Sequence, residues 1–172
     1  MKFATLNRTI HKWASLVIAL PLLLVIVTGI LLLVRKEFAI LQPPTQHGIA
    51  KVPTIDFATI LANTKTVDVA NVNSWQDIDR LDVRPSKGVI KVRTKSSWEV
   101  QLDSETGKVL QVAYRNSEFI ESLHDGTFFQ KQANLWLMLP VAIVLLLLWL
   151  TGLYLFCLPY YKKWRRKHNA LD

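Results

Sequence analysis

The sequence predicts an α+β membrane protein, in which a two-helix transmembrane hairpin carries a small domain of one helix and an antiparallel sheet between its helices. Three observations predict this class: two long uncharged apolar runs, a nearly neutral segment between them, and period-two apolar alternation within that segment. The runs are residues 14–34 and 135–158, and helices of these lengths are about 31 and 36 Å long. Both can therefore cross a hydrocarbon core of about 30 Å.

The first apolar run is predicted to stay in the protein as an uncleaved signal anchor. The alternative is a cleaved signal peptide, whose apolar core is about 7–15 residues long and ends at a small-x-small site. Residues 14–34 form a longer run, and the sequence "VRKEFAI" that follows offers no good cleavage signal. Length therefore favours the anchor.

The distribution of basic residues predicts the orientation in the lipid bilayer. Basic residues precede the first run and crowd the tail "YYKKWRRKHNALD", so the positive-inside rule places both termini in the cytoplasm. The net charge of +8 is then a topology signal, and we expect no nucleic-acid partner. The predicted segments are a cytoplasmic N-terminus (1–13), two membrane helices (14–34 and 135–158), an outside domain (35–134) and a basic cytoplasmic tail (159–172).

The outside segment alternates between turn signals and short regular elements. After the linker "QPPTQHG", the stretch "TIDFATILANTK" predicts a helix that Thr54 caps. Four strands are predicted in "RLDVRP", "GVIKVRT", "SWEVQLD" and "KVLQVAY", and the turn "DSETGK" joins the last two, with Gly107 at positive φ. Alternation predicts Trp98, Val100 and Leu102 on a buried face, with Glu99 and Gln101 on a solvated one.

The segment from the predicted helix through "VRPSKGVIKVRTKSSWEVQLDSETGKVL" resembles a PepSY domain. Its hairpin matches the pattern D-x-x-T-G-x-x-L/V at Asp103, Thr106, Gly107 and Leu110. The flanks resemble the membrane segments of PepSY-associated transmembrane proteins, and the likeness covers nearly the whole chain. The flank positions that match are His11, Trp13, Thr28, Gly29, Leu123, His124, Gly126, Phe129, Leu150, Thr151, Gly152, Leu153 and Tyr154. Larger relatives have at least four membrane helices, whereas this chain has two candidates.

Both apolar runs contain the pattern "LP…TG", which ends at Thr28-Gly29 and Thr151-Gly152. One interpretation is ordinary helix packing, because small residues let membrane helices approach and Thr can bond a backbone carbonyl. The other is a face where a flat cofactor or a neighbouring backbone comes close. Packing is the favoured interpretation of the two.

The resemblance implies haem b, with His11 and His124 as candidate axial ligands. The two histidines are predicted to lie about one bilayer, roughly 30 Å, apart, so they cannot share one haem. The second ligand would come from His47 or His168, or from the same histidine of a second chain in a homodimer. The alternative is that His11 binds lipid phosphate and His124 stabilises the "LHDG" turn.

Two functions of different classes remain open at this point. The resemblance implies a protein of the bacterial inner membrane that passes electrons outward through haem b, reducing ferric chelates in iron acquisition. The alternative is a non-catalytic accessory subunit, whose periplasmic PepSY-like domain docks a larger membrane complex or regulates a periplasmic peptidase. Whether the protein is an enzyme depends on which function holds.

Overall fold

The computed structural model describes residues 3–132 and 134–168. The chain forms two compact units, of which the first, the helical unit, combines the chain as far as Gly29 with the chain from Ser122 onward. The second, the sheet unit, is Ile30–Glu121. The helices are α1 (Phe3–Leu33), α2 (Phe57–Lys65), α3 (Asn116–Asp125) and α4 (Leu139–His168), and the strands are β1 (Ile78–Arg84), β2 (Val89–Thr94), β3 (Trp98–Asp103) and β4 (Val109–Tyr114).

Helices α1 and α4 carry the two predicted apolar runs, and each is long and apolar enough to cross a membrane. Within the chain most of their side chains are exposed, which leaves a large surface for lipid or further helices. The less exposed positions of α1 recur at heptad spacing, as at a helix-packing seam. In the helical unit this seam consists of Ala4, Asn7, His11, Ala14, Ile18, Pro21, Val25 and Thr28.

Strands β1 to β4 form one antiparallel sheet in chain order. One face packs on α2 and the turns after it, and the core there consists of Ile60, Ala70, Val72, Ile78, Ile90, Val92, Val100 and Leu102. The predicted β3–β4 hairpin is confirmed, and Gly107 has a φ of 74°. A side chain at that φ would be strained, which explains the glycine.

A β-bulge explains why Val109 and Val112 of β4 both pack against the core although three positions separate them. Leu102 pairs with Val109 while Gln101 pairs with Gln111, so the register shifts at this point. The extra residue in β4 places both valines on the core side, which strict alternation would not allow.

The predicted N-cap of α2 is wrong. Asp56 caps this helix, because its Oδ1 accepts a hydrogen bond of 2.7 Å from the backbone N–H of Thr59. The backbone N–H of Thr54 instead donates to the carbonyl of Ser104, 2.9 Å away. Threonine and aspartate are both good N-caps. Thr54 is not the cap here because its backbone is paired with the β3–β4 turn.

The predicted solvated face of the sheet is also wrong. Glu99 and Gln101 lie opposite the apolar core, as alternation requires, but both are fully buried. The proline-containing linker covers them: Gln101 Nε2 donates to the carbonyl of Pro44, and the backbone N–H of Gln46 donates to Gln101 Oε1, both at 2.8 Å. The sheet is therefore covered on both faces around β3.

Candidate functional site

His11 lies on the packing seam of α1 and reaches α4. Its Nδ1 is 2.8 Å from Oγ1 of Thr151. The next residue of α4 is Gly152, where an added Cβ would lie 3.3 Å from Cε1 of His11. The imidazole therefore occupies the space that the missing side chain leaves.

His124 lies in the last turn of α3 and reaches α1 in the same way. Its Nδ1 is 3.0 Å from Oγ1 of Thr28, and Thr28 is buried. A Cβ added to Gly29 would again lie 3.3 Å from the Cε1 atom of the imidazole. Each Thr-Gly pair of the two apolar runs thus contacts one of the two candidate histidines.

We call each histidine, together with the Thr-Gly pair that it contacts, a histidine arrangement. In both arrangements the same ring nitrogen, Nε2, is left without a hydrogen bond to the described residues. Oγ1 of Thr28 also donates to the carbonyl of Leu24 at 2.7 Å, and Oγ1 of Thr151 donates to the carbonyl of Leu147 at 2.8 Å. In both histidines the nitrogen that faces threonine is Nδ1, and no described residue forms a hydrogen bond with Nε2. A neutral imidazole with Nε2 free is a good ligand for a metal centre.

Two apolar grooves lie on the helical unit, and the imidazoles of His11 and His124 are not among their lining residues. The first, about 340 Å³ in volume, starts one helical turn from Thr28, and its lining residues are Leu20, Pro21, Leu24, Phe129, Leu137 and Met138. The second, about 460 Å³, flanks His11, and its lining residues are Thr9, Ile10, Trp13, Ala14, Val17 and Val144. Apolar concavities of this size suit the flat face of an organic cofactor.

The two arrangements are well separated along α1. The residue numbers of His11 and of Thr28, which binds His124, differ by 17, so the arrangements lie about 26 Å apart along the helix axis. His47 lies in the sheet unit, where its Nε2 is 3.0 Å from Nζ of Lys87. The side chain of His168 lies outside the described part of the structure.

The pairing of each histidine with a particular threonine was not predicted from the sequence. The contacts join residues 140 and 96 positions apart, and local patterns carry no information about such distant partners. The Thr-Gly pair that both apolar runs contain was the feature of the sequence that could have marked these contacts. The sequence did not show which residue contacts each pair. The short helix α3, which carries His124, was not predicted either.

Comparison with families of known proteins gives one result. The model of a family described as PepSY-associated TM region matches residues 8–171, which is nearly the whole chain. Comparisons with curated proteins and with solved structures find no match.

Proposed function

The chain belongs to the PepSY-associated TM region family, and we propose that it is a haem-b electron-transfer protein of the bacterial inner membrane. The observation that supports the proposal is the repeated arrangement in which a histidine is bonded through Nδ1 to a threonine and seated against a glycine, with Nε2 open. His11 lies on a candidate membrane helix and His124 bonds one, and ionisable residues at such helices are costly, so two in matching surroundings favour a function.

The residues of both arrangements fit haem b. Nε2 of His11 and Nε2 of His124 are the atoms that would bind the iron, and the apolar side chains that α1 and α4 expose would surround the ring. Haem held in this way supplies a reversible one-electron carrier within the membrane. The protein supplies the ligands, their orientation and the apolar surroundings.

Haem held by two histidines would need a second histidine at each arrangement, because about 26 Å along α1 separates His11 from His124. His47 already contacts Lys87 within the sheet unit. We therefore propose a twofold-symmetric homodimer, in which His11 pairs with its copy and His124 pairs with its copy. The dimer would contain four membrane helices.

The proposed orientation has both termini in the cytoplasm and the sheet unit in the periplasm, from the basic residues that flank the helices. A reduced donor on the cytoplasmic side would lose one electron. A ferric chelate on the outer side would gain that electron and become ferrous. In this orientation the protein would act in iron acquisition.

An absorption spectrum of the purified full-length protein, made in cells with ample haem, tests the proposal. We expect a Soret band that shifts to the red, and a sharp α-band, upon reduction. His11→Ala and His124→Ala should each remove about half of the haem, and the double variant should remove all of it. His47→Ala and His168→Ala are the matched controls and should retain full absorbance in a symmetric dimer.

A colourless wild-type protein would contradict the proposal. The accessory-subunit interpretation would then be the one to pursue. Loss of haem in His168→Ala alone would replace the symmetric dimer with pairing inside one chain.

A further inference from the structure

We infer that Thr28 and Thr151 are positioning residues that hold His124 and His11 in the tautomer with the proton on Nδ1. Nε2 is then the basic nitrogen that each imidazole presents. The identity of the metal group that uses Nε2 rests on the proposed function, whereas the tautomer is a property of the protein alone.

The first step of the argument is the proton of each threonine hydroxyl. Oγ1 of Thr28 lies 2.7 Å from the Leu24 carbonyl and 3.2 Å from the Val25 carbonyl. Oγ1 of Thr151 has the same surroundings, at 2.8 Å from the Leu147 carbonyl and 3.1 Å from the Leu148 carbonyl. Carbonyl oxygens only accept hydrogen bonds, so the single hydroxyl proton points towards them.

The second step is the imidazole. With its proton directed at a carbonyl, each hydroxyl oxygen offers only lone pairs to the Nδ1 atom that faces it. Nδ1–H can donate to that oxygen, and the threonine then forms two hydrogen bonds. In the opposite tautomer Nδ1 carries no proton and can only accept one from the hydroxyl. The carbonyl would then lose its hydrogen bond from the hydroxyl, and one hydrogen bond fewer would form. In a medium of low dielectric constant the arrangement with more hydrogen bonds prevails.

The third step is orientation. Each threonine belongs to a long helix and is anchored to the carbonyl one turn earlier, so its hydroxyl has a fixed position. The neighbouring glycine leaves room for the imidazole, because a Cβ added to the glycine would lie only 3.3 Å from Cε1 of the ring. Two contacts therefore determine the direction of each Nε2 lone pair. Partners of this kind commonly change metal affinity by about 10–100-fold when removed.

The tautomers of the haem-free full-length protein can be read from histidine ¹⁵N chemical shifts. We expect protonated Nδ1 and bare Nε2 at His11 and His124. Thr28→Val should abolish this signature at His124 alone, and Thr151→Val at His11 alone, while serine at either position should restore it. Thr64→Val is the matched control, since Thr64 bonds the Ile60 carbonyl one turn earlier on α2 and lies in the sheet unit, away from both candidate histidines.

A haem titration of the same variants gives the second measurement. Each valine variant should weaken binding at its own arrangement by about 10–100-fold, and each serine variant should restore affinity. A wild-type protein with the proton on Nε2, or valine variants with unchanged tautomers, would overturn the inference. Wild-type protein that has the expected tautomers but binds no haem would overturn the proposed function and support the tautomer assignment.

Discussion

The sheet unit and the helical unit differ in how fully their candidate polar groups are hydrogen-bonded. In the sheet unit both oxygens of the buried Glu99 carboxylate have partners: Oε1 accepts from Lys91 and Gln101, at 3.0 and 2.8 Å, and Oε2 accepts from Arg115. Among the described residues of the helical unit, each candidate histidine is bonded through one nitrogen only. Both oxygens of the Glu99 carboxylate therefore have partners, whereas each imidazole has capacity for one more bond.

This difference separates a structural role from a functional one. A buried carboxylate that has cationic partners on both oxygens has no position left for a ligand, and its removal would leave those cations without the anion that they share. An imidazole with Nε2 free can bind an additional group without giving up its bond to the protein. This contrast is consistent with a stabilising role for the Glu99 cluster and with the ligand binding proposed for the histidines.

Removing the Glu99 carboxylate should produce the largest change in stability. Glu99→Ala leaves Lys91 and Arg115, which are both buried, without their shared anion. We expect the free energy of unfolding of the full-length protein to fall by about 3–5 kcal/mol. Denaturant titration followed by far-ultraviolet circular dichroism measures the change.

The control for that change is Glu118→Ala. Glu118 also bonds Arg115, at 3.0 Å, but its side chain is partly exposed. Its removal should cost less than about 1 kcal/mol. An equal loss in both variants would show that burial of the pair does not set its contribution.

Filling the space beside each imidazole should have a smaller effect. Gly29→Ala and Gly152→Ala each place a Cβ 3.3 Å from a histidine Cε1, so the ring has to move by a few tenths of an ångström. We expect a cost of about 1 kcal/mol and a reduced Soret absorbance at the affected arrangement. Ala142→Val adds bulk to an exposed position of α4 and is the control. Unchanged spectra in both glycine variants would show that the rings have more room than the structure gives them.

The smallest effect at neutral pH concerns Asp103, in the β3–β4 turn. Burial raises the pKa of this carboxyl, but hydrogen bonds from the backbone N–H groups of Thr106, Ile49 and Glu105 outweigh it and hold the pKa below its ordinary value. A lowered pKa in the folded state means that the ionised form stabilises the fold. The contribution is complete above the ordinary aspartate pKa of about 4 and disappears as the pH falls below it.

The variant Asp103→Asn tests whether the ionised carboxylate of Asp103 stabilises the fold. The wild-type protein should lose stability as the pH falls from about 5 towards 2, and the variant should lose less over that interval. Thermal unfolding at several pH values provides the measurement. A variant whose acid dependence parallels that of the wild type would exclude Asp103 as a contributor.

Local patterns were sufficient for the two long helices, for α2 and for the four strands, but not for α3. Uncharged apolar runs longer than a bilayer predict α1 and α4 because an isolated helix satisfies its own backbone in an apolar medium. The turn at Gly107 and the alternation of β3 also depend on neighbouring residues alone. His11 and His124 were identified as candidates from their positions beside these runs and from the family resemblance.

The tertiary structure decided which groups meet. Gln101 is buried beneath a linker more than 50 residues earlier in the chain, which bonds it through Pro44 and Gln46, and no alternation pattern encodes this contact. The partner of each histidine is likewise a threonine 96 or 140 positions away. The patterns that predict helices and strands involve residues a few positions apart, whereas these contacts depend on which distant segments the folded chain brings together. The amino-acid sequence alone therefore determined the membrane helices, the hairpin and the candidate imidazoles, and only the folded chain determined which nitrogen of each imidazole is left open.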